Sequence, residues 1–148
     1  METAGRKTPV FFASLWIVAF FLNFFWECLH GLLYQDHPQM EAIIYVPMMV
    51  EMAFYDAVAV SGLYLFHSFV FRSLLRGNTV SHIAVFFLAA IITAAVVEYA
   101  AAHLLHAWNY LPSMPTVAGI GLLPLLQLAV TGVASIFAAE RLSSHKAV

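Results

Sequence analysis

Long apolar runs alternate with short polar breaks along this chain, and the breaks are of two kinds. Residues 8–26 carry no charge, and apolar character continues through Tyr34. A helix needs about 20 apolar residues to cross about 30 Å of hydrocarbon, so the first run predicts a span over about 9–33. Gln35 to Glu41, with Pro38, predicts a loop. Ala42 to Val50 is apolar but holds Pro47. It reads either as an interfacial approach or as the first turns of a second helix, since proline is tolerated near a helix start. With its start set near Pro47, that helix is expected over 47–71. Arg72 to Thr79, with Gly77-Asn78, predicts a turn. A third helix is expected over 80–105. Two prolines in Trp108 to Pro115 break the 41-residue stretch from 99 to 139 that lacks Asp, Glu, Lys and Arg. A fourth helix is expected over 116–139. The expected fold is all-α, one four-helix transmembrane bundle over residues 1–148, with no separate soluble domain.

Composition supports a membrane-embedded chain. It is 63% hydrophobic and 9% charged over 148 residues, with a mean hydropathy of +0.88. Soluble domains average roughly 25% charged residues, too many for this sequence to imitate. The net charge of −2, with no basic patch carrying interleaved aromatics, argues against a nucleic-acid partner. The lone cysteine, Cys28, forms no internal disulfide. Arg6 and Lys7 before an apolar run resemble a signal peptide, but Trp26 to His30 offers no small-x-small cleavage site, so an uncleaved first span is expected.

Charge placement orients the spans. All six Lys and Arg lie in three polar segments: Arg6 and Lys7, Arg72 and Arg76, Arg141 and Lys146. Four spans put these segments on one side, and the positive-inside rule makes that side cytoplasmic, N-in and C-in. Trp26, Tyr34, Tyr45, Trp108 and Tyr110 lie towards the opposite ends, as an interfacial aromatic belt would. The expected location is the plasma (inner) membrane, crossed several times, with membrane lipid as the surrounding partner and a homo-oligomer as an option.

Four carboxyl residues fall inside the spans: Glu51, near the start of the second, suits the interface, and Glu27, Asp56 and Glu98 are the informative ones. An ionisable side chain in hydrocarbon costs about 2.5–3.5 kcal/mol on insertion scales, so it usually faces the bundle interior and has a role. On the boundaries above, all three lie at similar levels in the outer half, each on a different helix, with Gln127 of helix four nearer mid-membrane. Asn23, Glu27 and His30 share a stripe of helix one. Pro124, Gln127 and Thr131 share one on helix four, and Tyr99, His103 and His106 one on helix three. Structural readings stand beside these. Glu27 and His30 can snorkel to water as an interfacial pair, His103 and His106 can sit among headgroups, and Asp56 and Glu98 can hold structural hydrogen bonds. His67 and His82 suit surface or headgroup contacts, and Asp36, His37 and Glu41 a solvated loop. The small residues of helix three suit close helix approach. Gly119 and Gly121, placed in helix four, suit packing, a kink or a carbonyl-lined cavity.

Four chemistries can use such a pattern. A carboxyl in an apolar pocket holds its proton and can act as a general acid on a lipid-soluble substrate. On this reading Glu98, Asp56 and Glu27 carry the catalysis. His30, Asn23, Trp26, Trp108, Tyr110 and Gln127 bind the substrate, and aromatic faces, Tyr55 among them, stabilise a cationic intermediate. A small ion- or proton-coupled transporter is the second reading. Metal binding is the third, from Glu27-x-x-His30 and His103-x-x-His106. A non-catalytic assembly subunit is the fourth. No cofactor is specified.

Several features resemble a family of small four-span integral membrane proteins of uncharacterised activity. They are Trp26-Glu27 with His30, Leu33-Tyr34, Asp56-Ala57, Glu98, Trp108-x-Tyr110, Met114-Pro115, Gly119-x-Gly121-Leu122, Pro124 and Gln127. The likeness covers most of the chain and implies the fold without an activity. The last third also resembles, distantly, the membrane domains of heterodimer-type lycopene cyclases and carotenoid hydratases. Those place an acidic residue about ten positions before Trp-x-Phe/Tyr, then Gly-Ile and Pro-Leu-Glu-Glu. Glu98, Trp108, Tyr110, Gly119-Ile120 and Pro124-Leu125 match, while Leu126 and Gln127 replace the Glu-Glu pair. This likeness implies an isoprenoid-handling pocket without its expected proton donor. It also implies a second module, which such enzymes usually need.

Overall fold

The computed structural model describes residues 3–71 and 80–144. The turn expected over 72–79 lies outside the described residues. Helix α1 covers Thr3–His30 and tightens into a 3-10 turn at Gly31–Leu33. Helix α2 covers Ala42–Val70, α3 Val80–Tyr99, and α4 Leu122–Ser144. All four are long and apolar enough to cross a membrane, so the chain is an all-α, multi-pass integral membrane protein.

Several helix ends differ from the sequence-based expectation: α1 begins at Thr3, not about 9, α3 is α-helical only to Tyr99, and α4 runs on to Ser144, not about 139. The second helix begins at Ala42, five residues before Pro47, so the apolar segment there forms helical turns. Pro47 stands past the first orphan donors, since Tyr45 N–H already bonds Glu41 O at 2.9 Å, so it removes one ladder bond inside the helix. The fourth helix begins at Leu122, not at 116. Thr116–Val117 pairs with Ile120–Gly121 as a two-residue antiparallel hairpin. Its turn residues, Ala118 and Gly119, both have positive φ (52° and 79°), the conformation of a type I′ turn. The expected helical role of Gly119 and Gly121 therefore gives way to a hairpin role. Pro124 sits in the first turn of α4, where a missing N–H costs nothing.

Helix α3 does not stop cleanly. Ala100–Leu104 widens into a π turn, closed by the Leu105 N–H to Ala100 O bond at 2.9 Å and the Ala107 N–H to Ala101 O bond at 2.8 Å. Single π turns recur at functional sites, and this one begins two residues after Glu98.

In a bilayer, helices gain little from hiding apolar surface from lipid, so close packing and polar contacts hold them together. Half of the α4 span is buried, against about a fifth of each other span. Its buried face carries Gln127, Ala129, Thr131, Gly132, Ser135 and Ala139, small or polar residues that let neighbours approach. A Cβ on Gly132 would stand 2.8 Å from Phe86 of α3 and 3.5 Å from Val60 of α2. Outward faces are apolar, as with Phe21, Phe25 and Leu29 of α1. Extensive packing joins α1 to α2, α1 to α4, and α3 to α4, while α2 and α3 touch sparsely. Where they do meet, the contact is near the end of α2 and the start of α3: the His67 and His82 rings lie 5.5 Å apart, with Phe71 against both. Arg141 lies in the last turn of α4, at that same end.

Candidate functional site

The end of the bundle opposite Arg141 gathers the polar residues of all four helices. Gln127 is the hub. Its amide nitrogen donates to Asp56 Oδ2 at 2.7 Å, to Glu27 Oε1 at 2.9 Å and lies 3.2 Å from Asn23 Oδ1. All three neighbours are acceptors, so the nitrogen must face them. An amide has two hydrogens, and the two short contacts claim them. Asn23 Oδ1 also lies 2.9 Å from the Thr131 hydroxyl, whose single hydrogen has a shorter acceptor in Gln127 O at 2.7 Å, while Asn23 Nδ2 donates to Ala19 O at 2.8 Å. The file continues along α4, where the Ser135 hydroxyl donates to Thr131 O at 2.6 Å.

Glu98 completes the set from α3. It is 7% exposed and accepts a hydrogen bond from the Tyr110 hydroxyl at 2.5 Å. Burial, and next that bond, push the Tyr110 phenol up to about 12 from its usual 10.0, so it remains a donor through neutral pH. The Tyr34 phenol is raised too, by burial first and by the Glu98 and Glu27 charges next. The last turn of α1 is ordered around it. His30 Nδ1 lies 3.0 Å from Trp26 O, an acceptor that orients the ring, and Nε2 lies 3.5 Å from the Tyr34 hydroxyl.

These aromatics belong to a roof. Tyr34 and Tyr110 pair as an antiparallel bridge, flanked by Gln35 N–H to Asn109 O at 3.0 Å and Leu111 N–H to Leu33 O at 2.8 Å. Trp108 packs edge-on against Tyr34 with ring centres 5.8 Å apart, and its buried indole N–H, which acts on Glu98 and Tyr110, makes no hydrogen bond of good geometry among the described residues. Trp26 ties α1 to α4 through a bond from its indole N–H to Leu123 O at 3.2 Å. The loop between α3 and α4 is thus stitched to the end of α1.

Beneath the roof lies a cavity of about 170 Å³. Glu27, Asp56, Glu98 and Gln127 all line it, with Tyr55, Ala59, Thr93, Ala94, Val97, Pro124 and Leu128. The three carboxyl residues singled out in the sequence therefore converge on one space. Starting α2 at Ala42 puts Asp56 fourteen residues into its helix, not nine. At about 1.5 Å per residue that is about 21 Å, yet its hydrogen bond to Gln127 keeps it level with Glu27. The outer turns of α2 must therefore project beyond the other helices.

The remaining expected binding residues stand behind the lining. Asn23 and His30 are buried supports, Trp26 is a strut, and Trp108 and Tyr110 form roof, with only the Tyr110 hydroxyl reaching a lining residue. Tyr99 and His103 are separated from the site: both are exposed, and the His103 ring lies 3.1 Å from Gly119 O. His106 is exposed with φ of 51°. His67, expected as a surface or headgroup contact, is instead 4% exposed, because the sparse α2–α3 contact encloses it at the far end. Among the described residues, no group of three or more His, Cys, Asp or Glu side chains is arranged to hold a metal ion. Thr93 was missed as a lining residue. The signal was present: Ala90, Ala94 and Glu98, four apart, define the inner face of α3, and Thr93 and Val97 are its next row.

No family model matches this chain, and no curated protein or solved structure matches it.

Proposed function

We propose that this protein binds the polar end of a lipid-soluble molecule in the carboxyl-lined cavity and performs acid–base chemistry there. The observation that carries the reading is the convergence of Glu27, Asp56 and Glu98 with Gln127 on one cavity. Among the described residues, no Lys or Arg lines the cavity with them: Arg141, on the same helix as Gln127, is fourteen residues away, about 21 Å along a helix. Two donors, the Gln127 amide and the Tyr110 hydroxyl, bond the three carboxyl groups. A ligand that brings its own donors, a hydroxyl or an amine, complements such a lining. An apolar cavity of about 150 Å³ takes a benzene-sized molecule, so this one suits a head of similar size. Glu98, with its proton-donating tyrosine neighbour, and Asp56 are the reacting acid or base, and Glu27 supports Asp56 through Gln127. The distant likeness of the last third to carotenoid cyclases points to the same substrate class, an isoprenoid-like lipid.

The test is native mass spectrometry of the protein purified in mild detergent, wild type against Glu98→Gln and Asp56→Asn. Retained lipid in the wild type and at least a tenfold loss in both variants, at unchanged folded yield, is the expected outcome. Variants that lose folded yield while the wild type retains no lipid would assign the carboxyls to structure. A second reading, proton or cation transfer, would draw on the buried polar side chains Asn23, Thr131 and Ser135 beside the carboxyls, although both hydroxyls are bonded to main-chain carbonyls of α4. It predicts pH-gradient-driven flux in reconstituted vesicles.

A further inference from the structure

We infer that the ligand of this cavity reaches it sideways from the bilayer, through the gap between α2 and α3, and keeps its chain in that gap while bound. The inference rests on the binding role proposed above and adds a route and a chain to it. Three closures and one opening define the route.

The roof closes the cavity towards the outer water, through the Tyr34–Tyr110 bridge, its two flanking backbone bonds and the Tyr110–Glu98 bond. The floor is closed by Leu128, Val60 and Phe86, which are 8%, 0% and 1% exposed. Phe86 sits so tightly that Gly132 beside it has no room for a methyl group. The back wall is the extensive α1–α4 contact. On the fourth side α2 and α3 touch sparsely, and exposure changes steeply across the lining. Tyr55 of α2 and Val97 of α3, at the rim, are 56% and 54% exposed; Glu98 and Gln127, inside, are 7% and 3% exposed. The cavity is therefore a pocket whose mouth lies on the lipid-facing side of the bundle.

Size decides what passes through that mouth. About 170 Å³ accepts the head of an amphiphile and excludes its chain. The chain must run out between Tyr55 and Ala59 on one side and Thr93 and Val97 on the other. There it meets the Tyr55 ring, the Ala59 and Val97 side chains and acyl chains, which suit it, while the Tyr55 hydroxyl is turned to Glu51 at 3.0 Å. The ligand class is thus a long-chain amphiphile with a compact donor head, already dissolved in the membrane. A water-borne ion or short polar solute would instead need the roof to open, at the cost of two backbone hydrogen bonds and the Tyr110–Glu98 bond.

The experiment links the mouth. In a Cys28→Ser background, Ala59→Cys with Thr93→Cys is joined by a short bifunctional thiol reagent in phosphatidylcholine vesicles. A second protein carries Gln35→Cys with Asn109→Cys, a backbone-bonded pair of the roof whose Cα atoms in such a pair lie about 5.5 Å apart, within disulfide reach. The probe is hexadecanol bearing a diazirine next to its hydroxyl, and labelling of cavity-lining peptides is read by mass spectrometry. Linking the mouth should reduce labelling at least tenfold relative to the unlinked protein, while locking the roof should leave it within twofold. Labelling that survives the mouth link, or that is lost on locking the roof, overturns the lateral route and leaves the binding role standing. Absence of cavity labelling in the unlinked protein overturns both.

Discussion

Gln127→Ala combined with Asp56→Ala tests the hub of the site most directly. The amide of Gln127 donates to Asp56 Oδ2 at 2.7 Å between two helices. A hydrogen bond contributes about 0.5–1.5 kcal/mol to a neutral acceptor and about 1.5–3 kcal/mol to a charged one. Within membranes, measured interhelical couplings average about 0.6 and reach about 1.7 kcal/mol, because the unfolded chain also finds partners. The short distance and the scarcity of competing donors put this pair near the upper bound, at about 1.4 kcal/mol, or about tenfold in the unfolding equilibrium. The assay is a double-mutant cycle by reversible unfolding in mixed micelles, with His67→Ala as the distant partner for Gln127→Ala. Asp56 and Gln127 should couple by about 1–1.7 kcal/mol, and His67 and Gln127 should add within about 0.5 kcal/mol. A coupling below about 0.3 kcal/mol for Asp56 and Gln127 would refute the hub, and with it the shared level of Glu27 and Asp56.

Further outcomes follow from individual contacts. The Tyr110 phenol, raised to about 12 against 10.0, binds its proton more tightly when folded. Its contribution to stability is full below about pH 10 and is lost as pH rises through about 12. Ultraviolet titration should show one tyrosine ionising near 12, absent in Tyr110→Phe. Gly132→Ala places a Cβ 2.8 Å from the buried Phe86 ring and should cost about 1–3 kcal/mol in the same unfolding assay, the range for overpacking. Phe86→Leu in that background should recover part of the loss, and no recovery would mean that the ring is not the obstacle.

Part of this protein is legible in one dimension. Span number follows from counting, because hydrocarbon thickness sets a minimum apolar length, and the placement of Lys and Arg supplies an expected sidedness. Glu27, Asp56 and Glu98 stand out for the same local reason: each is a charge where a charge is costly. Their convergence also had a partial signal in helical stripes, since Asn23 and Glu27 are one turn apart and Gln127 and Thr131 another. The hairpin at Thr116–Gly121 was not legible. Thr116 to Gly121 continues an apolar stretch that a helix would equally accept, and pairing with its own next residues outcompeted it through the positive φ of Ala118 and Gly119.

What the tertiary structure alone decided is which helices are neighbours. Nothing in the spacing of polar residues says that α4 is the buried centre, or that α2 and α3 barely meet. Those outcomes depend on how pairs of surfaces fit, Gly132 against Phe86 being one case, and pairwise fit is not a property of any single segment. The same holds for Gln127. As a residue it is one polar position in an apolar helix; only its placement between Glu27, Asp56 and Asn23 makes it the donor on which two carboxyl groups depend. The sequence set the charges in the membrane, and the packing of four helices set the distances between them and the side from which they are reached.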